Sequence, residues 1–90
     1  MVSEDGNSNW VLYILKCSDQ TLYTGITNNL ENRLLAHQMG KGAKYTRGRT
    51  PLDLIHAENF HSRSDAAKRE AVIKKLSRAN KLKLISKLWG

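Results

Sequence analysis

Apolar residues come in short bursts separated by polar breaks. Trp10 to Cys17 reads WVLYILKC, with Lys16 as its one charge. Dense aromatic and β-branched residues over such a short run are a strand signal. Alternation sets Trp10, Leu12 and Ile14 on one face and Val11, Tyr13, Leu15 and Cys17 on the other. Both sets are apolar, which predicts a central strand covered on both sides. The polar break Ser18-Asp19-Gln20 returns the chain into Thr21–Ile26 as an antiparallel partner. A three-residue loop pairs Cys17 with Thr21, Leu15 with Tyr23 and Tyr13 with Gly25. Because side chains alternate with period two, both tyrosines then share a face; a loop of even length would separate them. Gly25, opposite Tyr13, leaves room for a close approach to the backbone.

The period then changes. Asn28 is a good N-cap, Glu31 can complete a capping box, and a helix follows from about Asn29 to Met39 with Gly40 as its stop. Leu30, Leu34 and either Leu35 or Gln38 mark its buried side. Arg33 and His37, four apart, share a face beside that stripe. Gly40 to Pro51 is a loop. Leu52 to Phe60 reads as a third strand, with Leu52, Leu54, His56, Glu58 and Phe60 on one face; its polar content predicts a sheet edge. Ser62 or Ser64 caps a helix through Asp65 to about Ser77, and Asp65 suits the positive helix start. Ala66, Glu70 and Ile73 fall on one face of it. A last amphipathic helix, Asn80 to Trp89, turns Leu82, Ile85, Leu88 and Trp89 inward. The order is strand, strand, helix, strand, helix, helix. Residues 1–9, polar and acidic, read as a disordered lead-in, and 10–90 as one domain.

Ninety residues allow one modest core. Fifteen Lys+Arg against eight Asp+Glu leave a formal charge of +7. The excess is uneven: residues 1–40 hold two basic and four acidic side chains, residues 41–90 thirteen and four. A basic half points to polyanions, nucleic acid first and an anionic membrane surface second; Lys-rich helices that are merely well solvated are the bland alternative. The loop after the first helix carries Lys41, Lys44, Arg47 and Arg49 around Tyr45, a composition suited to phosphates and bases. Lys74, Lys75, Arg78, Lys81, Lys83 and Lys87 extend a basic surface on the last two helices. Glu70 is the odd residue there. Its carboxylate either closes an ion pair with Arg33 or a lysine, or coordinates a metal. The single cysteine, Cys17, permits no intrachain disulfide and reads as a small core residue. No signal-peptide pattern and no apolar run of membrane-spanning length is present, so the expected location is cytoplasmic.

These residues together resemble a known family, the GIY-YIG nuclease domain, and within it the small stand-alone bacterial group that is YhbQ-like. Val11-Leu12-Tyr13 stands where the family name has Gly-Ile-Tyr, and Tyr23-Thr24-Gly25 forms the second signature. Asn29-Leu30-Glu31-Asn32-Arg33-Leu34 matches the family's Asn-Leu-x-x-Arg-Leu. His37 falls where the family often has His or Tyr, and Lys68 to Lys74 matches its basic, Glu, Ile-Lys pattern. The joint order and spacing carry the resemblance, which covers about residues 10–85.

The resemblance implies an α+β fold, a three-stranded antiparallel sheet flanked by helices. It also implies a metal-dependent endonuclease acting on DNA, in repair or recombination; the alternative is a non-catalytic nucleic-acid binder that retains the fold. By the same resemblance Glu70 holds one divalent cation, Mg²⁺ or Mn²⁺, for which hard oxygen ligands are suited. Arg33 clamps the phosphate through its planar fork. Tyr23 is the general base or orients the water. Tyr13 hydrogen-bonds the water or the phosphate, and His37 shuttles a proton or contacts the phosphate. From their composition Lys41, Lys44, Tyr45, Arg47, Arg49 and Lys74 are expected to bind the nucleic acid, with sequence specificity either weak or supplied by a protein partner. An ordinary phenol has a pKa of about 10, so a base role for Tyr23 requires Arg33 or a metal charge to lower it.

Overall fold

The structure, a computed structural model, describes residues 9–89, with side chains through 85. The expected lead-in over 1–9 therefore lies, apart from Asn9, outside the described residues, as do the side chains of Lys87, Leu88 and Trp89. The two apolar bursts pair as an antiparallel hairpin, β1 (Trp10–Lys16) and β2 (Leu22–Thr27). Its register is that of a three-residue loop: Tyr13 faces Gly25 and Leu15 faces Tyr23. The Cys17 amide donates to the Thr21 carbonyl at 2.8 Å. Asp19 secures the turn, accepting from the Thr21 amide at 3.1 Å and from its hydroxyl at 2.5 Å.

β3 (Asp53–Phe60) pairs antiparallel with the other side of β1, so the strand order is β2-β1-β3. The apolar burst of β1 is thus central, and Leu12, Tyr13, Ile14 and Leu15 are completely buried. The more polar β3 is an edge. Its side chains do not alternate throughout, however. Ile14 pairs with His56 while Leu15 pairs with Leu54, so Ile55 is an extra residue in a bulge. The bulge shifts the alternation. Leu52 joins the Tyr13 and Leu15 side, whereas Phe60 packs with Leu12 and Ile14. The five residues expected on one face of β3 are therefore divided between both. The polar residues beyond the bulge satisfy one another: His56 Nε2 lies 2.7 Å from Glu58, and Arg69 grips the same carboxylate at 2.9 and 3.2 Å. Burial opposes ionisation of Glu58, but the bonds from Arg69 and His56 outweigh it and hold the carboxyl below its ordinary pKa.

Each sheet face has its own core. Tyr13, Leu15, Cys17 and Leu52 pack with Tyr23 and with Leu30 and Leu34 of α1 (Leu30–Gln38). Leu12, Ile14 and Ile73 pack on the other face with Phe60, Leu84 and Ile85, beneath α2 (Arg63–Lys74) and α3 (Arg78–Trp89). Fully burying such a Leu or Ile stabilises by about 1.5–3 kcal/mol relative to exposure.

Helix ends move by small, explicable amounts. β2 continues to Thr27, whose hydroxyl accepts from the Asn29 amide at 3.1 Å. Asn29, not Asn28, then caps α1 by accepting from the Asn32 amide at 3.1 Å, and Glu31 closes no capping box. Ser62 caps α2 through the Asp65 amide at 3.1 Å. α2 stops at Lys74 rather than Ser77, because Ser77 starts the next helix instead, accepting from the Asn80 amide at 3.2 Å. On α1, Leu35 is 60% exposed. Gln38 is the inward contact, as a clasp on the Leu52 backbone: its amide donates to the Leu52 carbonyl at 2.7 Å and accepts from the Leu52 N–H at 3.3 Å. Leu82, expected to face in, is 41% exposed. Among the described residues no helix is long and apolar enough to cross a membrane.

Candidate active site

The site starts at Gly25. A Cβ there would lie 2.6 Å from the Tyr13 hydroxyl and 3.0 Å from the Tyr23 ring. Glycine therefore lets the Tyr13 ring lie flat over β2, with its hydroxyl reaching α1. There Arg33 Nε donates to it at 3.4 Å, and His37 Nε2 lies 2.9 Å away. Tyr13 and His37 are both completely buried.

Proton positions follow from the partners. The Thr46 hydroxyl has one proton and donates it to the Ala43 carbonyl at 2.9 Å. Its oxygen therefore accepts from His37 Nδ1–H, at 2.8 Å. Burial, with the Arg33 charge second, pushes the His37 pKa below its ordinary value, so the ring is neutral and carries one N–H. Nε2 is then an acceptor, and the Tyr13 O–H donates to it. The chain of donors runs from Arg33 through Tyr13, His37 and Thr46 to a backbone carbonyl. Gly42 closes over it: a Cβ at 42 would collide with His37 Nδ1.

Burial raises the Tyr13 pKa, the Arg33 hydrogen bond only partly offsetting it, so Tyr13 stays a neutral phenol. Tyr23 is half-buried, its ring 6.2 Å from that of Tyr13 and 5.3 Å from that of His37. Tyr45 stacks on Tyr23 at 6.0 Å, and Arg49 lies over the Tyr45 ring at 4.3 Å. Arg49 also donates to the Tyr45 carbonyl and, at 2.9 Å, to Asp19. Bonds from Thr21, and then from Arg49, hold the Asp19 carboxyl down at about 2. The loop is thus pinned at Thr46 and at Arg49. Arg49 is committed to holding Tyr45, while Lys41, Lys44 and Arg47 are exposed.

Four predicted residues, Tyr13, Tyr23, Arg33 and His37, therefore meet in one cluster. Glu70 does not join it on the same sheet face. It rides on α2, which covers the opposite face, and it pairs with Lys74 at 3.2 Å. The two layers come together at the edge of β2. There a cleft of about 250 Å³ is lined by Leu22, Tyr23, Thr24, Tyr45, Lys74 and Lys81. Lys74, the ion-pair partner of Glu70, lines this cleft; Glu70 and Arg33 do not. Among the described residues no three His, Cys, Asp or Glu side chains are grouped to hold a metal. A hard divalent cation anchored by one carboxylate fits this chemistry, since Mg²⁺ usually keeps several waters and takes substrate phosphate as further ligand.

Sequence reasoning missed Thr46, Gly42 and Asp19. Thr46 and Asp19 act through single hydrogen bonds across nine and thirty residues, which leave no periodic trace.

The family described as GIY-YIG catalytic domain matches residues 9–83. A UPF0213 protein of Natronomonas pharaonis is 56% identical over 79 residues, covering 88% of this chain and 93% of its own length. One from Clostridium perfringens is 59% identical over 75 residues, covering 83% and 81%. The solution structure of the UPF0213 protein BH0048 from Bacillus halodurans aligns over 87% of this chain and 83% of its own, with 45% identity and a TM-score of 0.58. That of EF2693 from E. faecalis aligns over 91% and 88%, with 39% identity and a TM-score of 0.62. With its motifs gathered around Tyr13 and its fold shared with these relatives, the chain belongs to the GIY-YIG catalytic domain family, among the small UPF0213 proteins.

Proposed function

We propose that this protein is a divalent-metal-dependent endonuclease that hydrolyses phosphodiester bonds in DNA, a chemistry that suits repair or recombination. The observation that carries this reading is the Tyr13–His37–Arg33–Tyr23 cluster opening beside a cationic cleft. Arg33 spends its Nε on Tyr13 and keeps its terminal amino groups for a phosphate fork. Tyr13 and His37 spend their polar atoms on one another, on Arg33 and on Thr46, and they act as positioning groups that fix the Arg33 fork. Tyr23, half-buried at the cleft, orients the attacking water or, as the phenolate, accepts its proton. The water oxygen forms the new P–O bond as the bond to the leaving sugar oxygen breaks, and that oxygen takes up a proton from solvent. Glu70 would hold Mg²⁺ or Mn²⁺, which when bound neutralises charge on the phosphate and lowers the pKa of a water. Lys41, Lys44 and Arg47 hold the flanking backbone.

The test is cleavage of single-stranded, duplex and branched DNA and of RNA under metal titration, with Glu70→Ala as control. Wild type is expected to cut with Mg²⁺ or Mn²⁺ and to stop in chelator. Glu70→Ala should lose at least about a hundredfold, because even outer-shell metal partners are worth about 10–100-fold. Unchanged metal-dependent cleavage by Glu70→Ala overturns the assignment. Steeply salt-dependent binding by a wild type that never cuts favours the non-catalytic binder instead.

A further inference from the structure

Thr24 lies inside the second motif, at the position where the family's name has isoleucine. It pairs with Ile14, and so it points to the sheet face opposite Tyr23. It is 3% exposed, and its Oγ1 has no hydrogen-bond partner among the described residues. An unmatched buried hydroxyl is destabilising, whereas valine would fill the same space without it. Thr24 nevertheless lines the cleft at the β2 edge, together with Lys74 and Lys81. An adjoining cleft of about 170 Å³ shares Leu22 and Lys81 and adds Thr21 and Arg78. The two form one groove along β2 that carries three cations and, among the described residues, no acidic lining.

We propose that this groove is a second phosphate subsite, in which the Thr24 hydroxyl donates to a non-bridging oxygen while Lys74 and Lys81 neutralise its charge. The occupant is the backbone phosphate next to the one gripped by Arg33, and Arg78 continues the track. A hydroxyl flanked by ammonium groups suits a phosphate oxygen, for which all three supply donors. A nucleobase suits the groove less well, because the Tyr45 ring is already stacked on Tyr23 and covered by Arg49. Lys74 also contacts Glu70, so this phosphate sits beside the proposed metal ligand. That the polyanion is a nuclease substrate rests on the function proposed above; the anion site itself does not.

The test is anisotropy of a fluorescein-labelled short single-stranded DNA in EDTA over a salt series, so that no cleavage is needed. Thr24→Val should bind about tenfold more weakly, the scale of one hydrogen bond to a charged oxygen. Its thermal unfolding midpoint should equal or exceed that of wild type, because the unmatched hydroxyl is gone. Thr24→Ser, which keeps the hydroxyl, should bind within about threefold of wild type. Lys81→Ala should lower the slope of log K against log salt by about 0.7, one phosphate contact on a single strand. An abasic oligomer should show the same Thr24→Val loss. Thr24→Val binding at the wild-type level, an unchanged slope in Lys81→Ala, or a loss that vanishes on the abasic strand overturns the subsite. A wild type that binds this way but never cuts would sink the nuclease function and leave the subsite standing.

Discussion

His37 has a partner on each ring nitrogen and no exposed surface. Protonation would put a second N–H against the Tyr13 hydroxyl, which already donates there. The folded pKa lies below the ordinary 6.5, for burial and the Arg33 charge both disfavour the cation. A depressed pKa means that the contribution to stability is fully present above the unfolded value. It is lost as pH falls from about 6.5 through the folded value. Urea midpoints should therefore be level between pH 8 and 7 and fall between about 6.5 and 5. His37→Gln, though less stable throughout, should flatten that interval. Asp19 and Glu58 also have depressed values, but as carboxylates they lose stability in more acid solution, so the two limbs separate. A wild-type curve level down to pH 5 would contradict the neutral, doubly bonded imidazole. At this scale the sequence marked Arg33, His37 and both tyrosines correctly as neighbours. It could not show that Tyr13 and His37 are sealed from solvent, because burial depends on what the loop lays over them.

The loop from Gly40 to Pro51 is the element whose character changed most. Its cations and Tyr45 read as a loop suited to phosphates and bases. It also has a 3-10 turn, Lys44–Thr46, with Thr46 completely buried against His37. Thr46→Val keeps the shape but leaves His37 Nδ1–H buried and unpaired, at a cost of about 1–3 kcal/mol. Both the urea midpoint and the resistance of Lys41, Lys44 and Arg47 to trypsin should fall. Cleavage after α2 lysines at early times should not change. Equal trypsin resistance in the variant would mean that Arg49 and Asp19 alone hold the loop. The β3 bulge makes a similar point. Strict alternation was a sound expectation for an isolated strand, and only the pairing with β1 places the extra residue at Ile55.

On the scale of the whole molecule, the candidate site is an edge rather than a face. α1 carries Arg33 on one side of the sheet and α2 carries Glu70 on the other, and at the β2 edge between them lies the cleft lined by Tyr23 and by Lys74, the partner of Glu70. The basic half, 41–90, contributes to both sides, since its loop packs on His37 and its last two helices cover the opposite face. Replacing Lys41, Lys44 and Arg47 together with alanine should reduce the salt slope of single-strand binding by about two, at about 0.7 per lost contact. All three are exposed, so the unfolding midpoint should hardly move. An unaltered slope would remove the loop from the interface.

The strand pairing, the three-residue hairpin loop and the common face of Tyr13 and Tyr23 follow from local rules. A period-two pattern with a fixed loop parity admits one register. The family follows from motif order and spacing, which are properties of the chain alone. The tautomer of His37, the pinning of the loop by Thr46 and Arg49, and the bulge at Ile55 have no such local source. Nor has the placement of Glu70 in the opposite layer, or the unmatched hydroxyl of Thr24 in a cleft with Lys74 and Lys81. Each depends on side chains brought together across the chain by packing, and a single hydrogen bond or a single cleft contact leaves no repeat for a sequence pattern to carry.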